Sequence, residues 1–279
     1  MILAYLYLIV FLIRPQDWPG NFFFGWPLYD VIAIGGLVII LLLKGSKLKE
    51  VLLEFPQTWC IAAFCLISFL SNVVNNDMAM GIEQGQFFLK KIVIFLFLAC
   101  VIDSPKKLNR FFFIAVLCAI VLSFQSITQF RTGIGWANQT VNSVPLSPGE
   151  TIATHFVNQG SRTFWIGIWD GPNVLCLVFL TGIVFCLDKV LTKRVMLLNK
   201  LFYVFALCML VIGIFLTNSR GGILALAFAF FVYFINKFKF RWGVIFGIIL
   251  IIFLFSASPS RMDSLSSDEA SARERTWLW

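Results

Sequence analysis

The residues best suited to chemistry in this sequence are arginines in segments that contain no lysine. There are seven of them: Arg14, Arg131, Arg162, Arg220, Arg261, Arg273 and Arg275. A planar guanidinium grips phosphate or carboxylate through two parallel hydrogen bonds and stays charged at any physiological pH. We therefore expect these arginine-bearing segments to bind an anionic ligand that carries phosphate. The alternative is that these arginines pair with lipid headgroups and with local carboxylates such as Asp17, Asp170 and Glu274.

Arg220 is the strongest single candidate, because it lies in a very short turn, residues 217–222, between two long apolar segments. Asn218 and Ser219 are suited to cap the helix that follows, whose free N–H groups then join the guanidinium in holding an anion. Gly221 and Gly222 let a ligand or a neighbouring helix approach the backbone closely. A tight hairpin with no ligand favours the same residue types.

Two further clusters add arginines to this prediction. In the first, Arg162 precedes Asp170 and Asn173, which are expected to cap a helix opened by Pro172 or to bind sugar hydroxyls. In the second, three arginines stand near Trp277 and suit a phosphate or glycan surface, or equally an exposed amphipathic helix; they are Arg261, Arg273 and Arg275.

Metal chemistry and a disulfide framework are not indicated. The single histidine, His155, is either a general base or an ordinary loop residue, and it does not build a metal centre by itself. All seven cysteines lie inside apolar runs without a CxxC pair, which predicts small buried hydrophobic side chains.

These side chains must be positioned by membrane-spanning helices. The 279 residues are 59% hydrophobic and 13% charged, whereas a soluble domain carries about 25% charged residues. Apolar runs near the ~20 residues that cross a bilayer recur along the chain. The sequence predicts an all-α, polytopic bundle of about nine spans, near 2–13, 28–43, 55–74, 86–102, 111–130, 172–187, 201–217, 221–236 and 242–257.

The lysines predict the topology. Ten lysines and three arginines fall in alternate loops, and such loops stay in the cytoplasm, so the N-terminus is expected there and the seven arginines on the opposite face. The formal charge of +8 then reflects cytoplasmic loops and not nucleic-acid binding. Lys90 and Lys91 fall near the outer third of the fourth run, where they either face the bundle interior or extend to an interface.

The predicted organisation is a helical bundle over 1–257 with an external loop at 131–171, followed by the start of a large external loop at 258–279. Tryptophans 136, 165 and 169 suit an interfacial position in the first of these loops.

The chain resembles the O-antigen ligase and polymerase superfamily of bacterial membrane glycosyltransferases over roughly residues 110–279. The matching elements run in order along the chain. They are an arginine-bearing loop leading into Asp170-Gly171-Pro172-Asn173, then Ser219-Arg220-Gly221-Gly222, then Ser258-Pro259-Ser260-Arg261, and finally Ser271-Ala272-Arg273-Glu274-Arg275-Thr276-Trp277.

The resemblance implies transfer of a glycan from undecaprenyl pyrophosphate to an acceptor hydroxyl at the periplasmic face of the bacterial inner membrane, without metal or nucleotide. By position, Arg220 and one of Arg261, Arg273 or Arg275 would hold the pyrophosphate, with Arg162, Asp170, Asn173 and Ser219 around the substrate. The acceptor is a glycan, a lipid or a protein, which leaves ligase, polymerase and protein O-oligosaccharyltransferase open.

The sequence differs from the superfamily pattern in one respect. Members of the superfamily place a functional histidine in the large external loop and continue with further helices, and His155 does not match that motif. The sequence is therefore expected to be the N-terminal portion of a longer protein. A different class, a transporter or flippase of an anionic lipid-linked sugar, would use the same arginines for binding alone, with Lys90 and Lys91 along its path. A membrane subunit without activity of its own is the third possibility.

Overall fold

The computed structural model describes residues 1–75, 78–139, 162–167, 171–192, 196–237 and 244–245. Its secondary structure there is helical, without a β-strand, in eight α-helices: α1 Ile2–Ile13, α2 Leu28–Glu54, α3 Pro56–Val74, α4 Met78–Val101, α5 Pro105–Thr132, α6 Pro172–Leu191, α7 Leu197–Leu216 and α8 Arg220–Lys237. A short 3₁₀ turn, Pro15–Asp17, follows α1.

Local sequence explains where several helices begin and end. Pro56, Pro105 and Pro172 each open a helix, at a position where the missing N–H costs nothing. Arg14 ends α1 in the left-handed conformation, with φ 53°, and its N–H donates to the carbonyl of Val10. Helix α2 has two arms, Leu28–Leu42 and Gly45–Glu54, which meet at 105°.

Six of these helices, α3 to α8, are long and apolar enough to cross a membrane, and α2 makes a seventh if its two arms count as one span. Much of their apolar surface faces outward; Phe64, Leu66 and Ile67 of α3 are each more than half exposed. A water-soluble protein rarely exposes so continuous an apolar surface. The chain is therefore a multi-pass membrane protein whose helices contact a lipid bilayer.

The predicted count of nine spans is not confirmed. Helix α1 has only 12 residues, and the predicted span at 242–257 lies almost wholly outside the described residues. Helix α4 starts at Met78, eight residues before the predicted start at 86. The apolar run does not reveal the first eight residues of α4, because Glu83, Gln84 and Gln86 interrupt it. Glu and Gln are nevertheless good helix formers, so the helix continues through them.

The chain divides into two compact units, Met1–Ala115 and Val116–Trp279. In the first unit, α4 packs on α2 and α3, and α2 packs on α1. Gly36 makes the α2–α4 contact possible, because a Cβ there would lie 2.3 Å from a ring carbon of Phe97. In the second unit, α6 packs on α7 and α8. Gly182 and Gly213 have the same effect on the contact between α6 and α7.

The cysteine prediction holds only in part. All seven cysteines lie among the described residues and none forms a disulfide, and four of them are buried: Cys100, Cys118, Cys176 and Cys186. Cys60 and Cys208, however, are exposed on the outer faces of α3 and α7. A thiol is apolar enough to face lipid, so an apolar run does not distinguish the two environments.

Candidate anion site at the ends of four helices

The turn between α7 and α8 is built by three consecutive polar residues. Thr217 caps α7, with its N–H 3.2 Å from the carbonyls of Gly213 and Ile214. Asn218 has φ 51° and turns the chain out of the helix. Ser219 is the N-cap of α8, and its hydroxyl oxygen accepts the N–H of Gly222 at 3.0 Å. The predicted capping is thus confirmed for Ser219, whereas Asn218 ends the preceding helix instead.

This arrangement makes Arg220 the first residue of α8, with its side chain half-buried. The backbone N–H groups of a first helical turn point along the helix axis and carry the positive end of the dipole. A guanidinium at this position adds a full positive charge to that partial one. Anions are stabilised at such helix starts by about 0.3–1 kcal/mol at an exposed surface, and by more when partly buried.

The start of α6 is fastened directly to this turn. The Ser219 hydroxyl donates to the side-chain amide oxygen of Asn173, the second residue of α6. One turn further along α6, the sulfur of Cys176 and the hydroxyl of Thr217 lie 2.9 Å apart. Pro172 opens α6 as predicted, but Asn173 does not cap that helix: the N-cap is Gly171, which makes no side-chain cap bond.

A short segment outside the helices, residues 162–165, is hydrogen-bonded to the ends of α5 and α7. The N–H of Thr163 donates to the carbonyl of Leu216 at 3.2 Å. The N–H of Phe164 donates to Oε1 of Gln129 at 3.1 Å, and the same oxygen accepts Nε2 of Gln125 at 3.2 Å. We call residues 162–165 the strap.

Trp165, the last residue of the strap, has a different environment from the one that the sequence predicts. Trp165 is fully buried, although the loop containing it was expected to be interfacial. Trp136 is 36% exposed, and Trp169 lies outside the described residues. Burial of Trp165 requires partners from helices distant in sequence, which composition does not reveal.

The structure therefore brings four predicted site residues to one end of the second unit: Arg162, Asn173, Ser219 and Arg220. That end is formed by the last turns of α5 and α7 and the first turns of α6 and α8. The lysine pattern predicts it to be the external face. The remaining candidates, Asp170, Arg261, Arg273, Arg275 and also His155, lie outside the described residues.

Several polar groups of this region were not identified from sequence. Gln125, Ser126, Gln129 and Thr163 are fully buried, and each has a side-chain polar atom without a hydrogen-bond partner among the described residues. The available signal was the spacing of Gln125, Ser126 and Gln129, which places them on one face of an otherwise apolar helix. Buried polar groups in a lipid-embedded helix are costly, so that spacing predicts a protein-facing surface.

A groove of about 280 Å³ descends from the helix starts between α6 and α8. Its upper end is formed by Asn173 with Gly221 and Gly222, and its lower part is apolar, lined by Val174, Leu177, Leu180 and Ala225. The two glycines differ: a Cβ on Gly222 would meet Cys176 Sγ at 2.4 Å, whereas a Cβ on Gly221 would have 4.0 Å of space. Gly222 thus sets the approach of the two helices, and Gly221 leaves the groove open.

No family model matches this chain, and searches of the curated proteins and of the solved structures also give no match.

Proposed function

We propose that this chain is a membrane glycosyltransferase of the O-antigen ligase type, which uses an undecaprenyl-pyrophosphate-linked glycan at the outer face of the bacterial inner membrane. In the proposed reaction, the oxygen of an acceptor hydroxyl bonds to the anomeric carbon of the glycan. The bond from that carbon to the pyrophosphate oxygen breaks, the lipid pyrophosphate leaves with the electron pair, and the hydroxyl proton is released to solvent.

The observation that carries the proposal is the place of Arg220 at the first position of α8, above an apolar groove. Catalysis of this reaction requires stabilisation of the charge that develops on the leaving pyrophosphate. A helix start bearing an arginine supplies that stabilisation, and the groove between α6 and α8 suits the beginning of a polyprenyl chain. Thr163 is bonded to the end of α7, so the strap carries its neighbour Arg162 to the same end of the unit.

The donor site alone does not distinguish ligase, polymerase and protein O-oligosaccharyltransferase, since these classes differ in the acceptor. A glycan, a lipid or a protein would approach the same anomeric carbon. The ligase is our first choice because the order of the short motifs along the chain resembles that group.

The test is binding of undecaprenyl pyrophosphate to the purified chain in lipid nanodiscs. Arg220→Ala and Arg220→Lys should both weaken binding by at least about tenfold, because lysine keeps the charge but loses the two-pronged grip. Arg131→Ala is the matched control, since Arg131 is an exposed arginine in the last turn of α5, at the same end of the unit. Equal binding by the wild-type chain and Arg220→Ala would remove Arg220 from the site.

A transporter or flippase of an anionic lipid-linked sugar is the second candidate. It is favoured by one observation, which is an ion pair halfway along α4. There, Nζ of Lys90 lies 3.1 Å from a carboxylate oxygen of Asp30 of α2. Charged residues within apolar spans commonly mark the path of a polar substrate. Liposomes containing the chain would move a labelled carrier between leaflets under this reading, with no new product after acceptor is added.

A further inference from the structure

The first unit places two lysines at an unusual depth. Lys90 and Lys91 come twelve and thirteen residues after Met78, the first residue of the 24-residue helix α4. At about 1.5 Å per residue they lie roughly 18–20 Å from its start, which is near the middle of a helix that crosses ~30 Å of hydrocarbon. A cation at that depth requires a partner.

Lys90 has such a partner. Its Nζ lies 3.1 Å from a carboxylate oxygen of Asp30, in the first turn of α2. The contact shows that the start of α2 lies level with the middle of α4. The charges of this pair cancel, so Lys90 and Asp30 together need no further counterion.

Lys91 lacks a carboxylate within ion-pair distance among the described residues. Its described contacts are with aromatic rings: Nζ lies 4.6 Å from the ring centroid of Phe87 and 6.0 Å from that of Phe11. Such contacts contribute about 0.5–2 kcal/mol, far less than the cost of leaving an ammonium without an anion in a low-dielectric surrounding. The cluster of Asp30, Lys90 and Lys91 therefore carries one excess positive charge.

The surroundings of Lys91 indicate where an anion would come from. Helix α1 has 12 residues and is about 18 Å long, too short for the full hydrocarbon layer. A short span is accommodated by local thinning of the bilayer, which brings headgroups toward its end. The loop after α1 agrees with this, because it exposes Phe22, Phe24 and Trp26 by 80%, 60% and 51%, and exposed aromatic side chains favour the headgroup level.

We propose that Lys91 binds the phosphate of an anionic phospholipid headgroup, seated beside the turn that joins α1 to α2. The aromatic loop lies at headgroup level, the Phe11 and Phe87 rings hold the ammonium in place, and the phosphate supplies the missing negative charge. The site lies wholly in the first unit and does not depend on the proposed glycan transfer.

The test is native mass spectrometry of the purified full chain titrated with phosphatidylglycerol, read as the dissociation constant of the tightest bound lipid. Lys91→Met should weaken binding about fivefold, the effect of one basic residue near an anionic lipid surface. Lys91→Arg should leave it unchanged. Lys49→Met is the matched control, since Lys49 is an exposed lysine on the second arm of α2.

Asp30→Asn tests the same site through an expected gain of lipid affinity. It still tests the proposal if Lys91→Met fails to fold. Removal of the carboxylate releases Lys90, so phosphatidylglycerol should bind several-fold more tightly. Zwitterionic phosphatidylcholine should show no response to either change. Unchanged phosphatidylglycerol binding in both variants would overturn the proposal, and displacement of the lipid by millimolar inorganic phosphate would overturn its assignment to a lipid headgroup.

Discussion

The hydroxyl of Ser219 donates a hydrogen bond to the side-chain amide of Asn173, 46 residues earlier in the chain, while accepting the N–H of Gly222. One side chain therefore both caps α8 and fastens it to the first turn of α6. Arg220 follows immediately, so its position depends on a bond between two helices. The Asn173–Ser219 bond couples two short motifs that the sequence presents far apart.

Ser219→Ala should lower the free energy of unfolding by about 1–2 kcal/mol, because it removes an N-cap and one interhelical hydrogen bond. Asn173→Ala should cost about 0.5–1.5 kcal/mol, since it removes only the second of these. Reversible unfolding of the purified protein in mixed micelles measures both values. The double variant tests the coupling: strict additivity of the two changes would contradict the bond.

Gly221 and Gly222 are expected to respond to alanine in opposite directions. Gly222→Ala places a methyl group 2.4 Å from Cys176 Sγ and should destabilise the protein by about 1–3 kcal/mol, because α6 and α8 must separate. Gly221→Ala meets no such obstacle and should be neutral or stabilising by up to about 1 kcal/mol. Thermal unfolding of the two variants, measured side by side, provides the comparison. Equal losses would mean that the contact between α6 and α8 is not close.

What could be predicted from sequence is mainly what depends on neighbouring residues. Pro172 at a helix start and Ser219 at an N-cap follow from missing or unsatisfied N–H groups within one turn. Long apolar runs predicted the ends of α6, α7 and α8 to within four residues, whereas α5 starts six residues before the predicted start at 111. The segregation of lysine from arginine supplied the list of candidate arginines, three of which, Arg131, Arg162 and Arg220, lie at the same end of the second unit.

What the sequence did not reveal depends on contacts between distant segments. The bond between Asn173 and Ser219 and the burial of Trp165 arise from the packing of helices against one another. The bend in α2 and the level of Lys90 beside Asp30 likewise need three-dimensional information. A hydropathy profile averages over all sides of a helix, so it detects that α5 crosses the membrane but not which side holds Gln125 and Gln129.

Gln129 is expected to hold the strap in place. Its side-chain oxygen accepts the N–H of Phe164, and Gln129→Met removes the acceptor while keeping the length of the side chain. The Phe164 N–H is partly buried, and a buried N–H left without a partner costs up to about 3 kcal/mol, so the strap should detach more readily. Hydrogen–deuterium exchange of the Phe164 amide measures this directly and should accelerate at least about fivefold.

Thr128→Val serves as the control for Gln129→Met, because Thr128 lies next to Gln129 on α5, is only partly buried, and its hydroxyl bonds within its own helix, to the carbonyl of Phe124. It should leave exchange at Phe164 unchanged. If Gln129→Met also leaves that exchange rate unchanged, the strap is held by its other contacts, such as the bond from Thr163 to Leu216.

Between α4 and α5, Asp103 lies between two lysines at the end of the first unit that the lysine pattern predicts to be cytoplasmic. Its carboxylate oxygens lie 2.6 Å from Nζ of Lys107 and 3.0 Å from Nζ of Lys47, which belongs to the second arm of α2. Hydrogen bonds from Lys107 and then Lys47 hold the pKa of Asp103 well below its usual range. The contact joins α2 to the start of α5 through one ionised carboxylate.

The depressed pKa of Asp103 determines the direction of a pH effect. The unfolded chain takes up this proton near pH 3.9, whereas the folded chain takes it up only at lower pH, so stability from this group rises with pH between the two values. This contribution to stability should be complete above about pH 4 and be lost as the pH falls through the lowered pKa of the folded protein.

Carboxyl NMR of Asp103 measures that pKa. Lys107→Met should raise it more than Lys47→Met does, and the neighbouring exposed Lys106→Met should leave it almost unchanged. An Asp103 titration at its ordinary value in the unmodified protein would show that the carboxylate is not held between the two lysines.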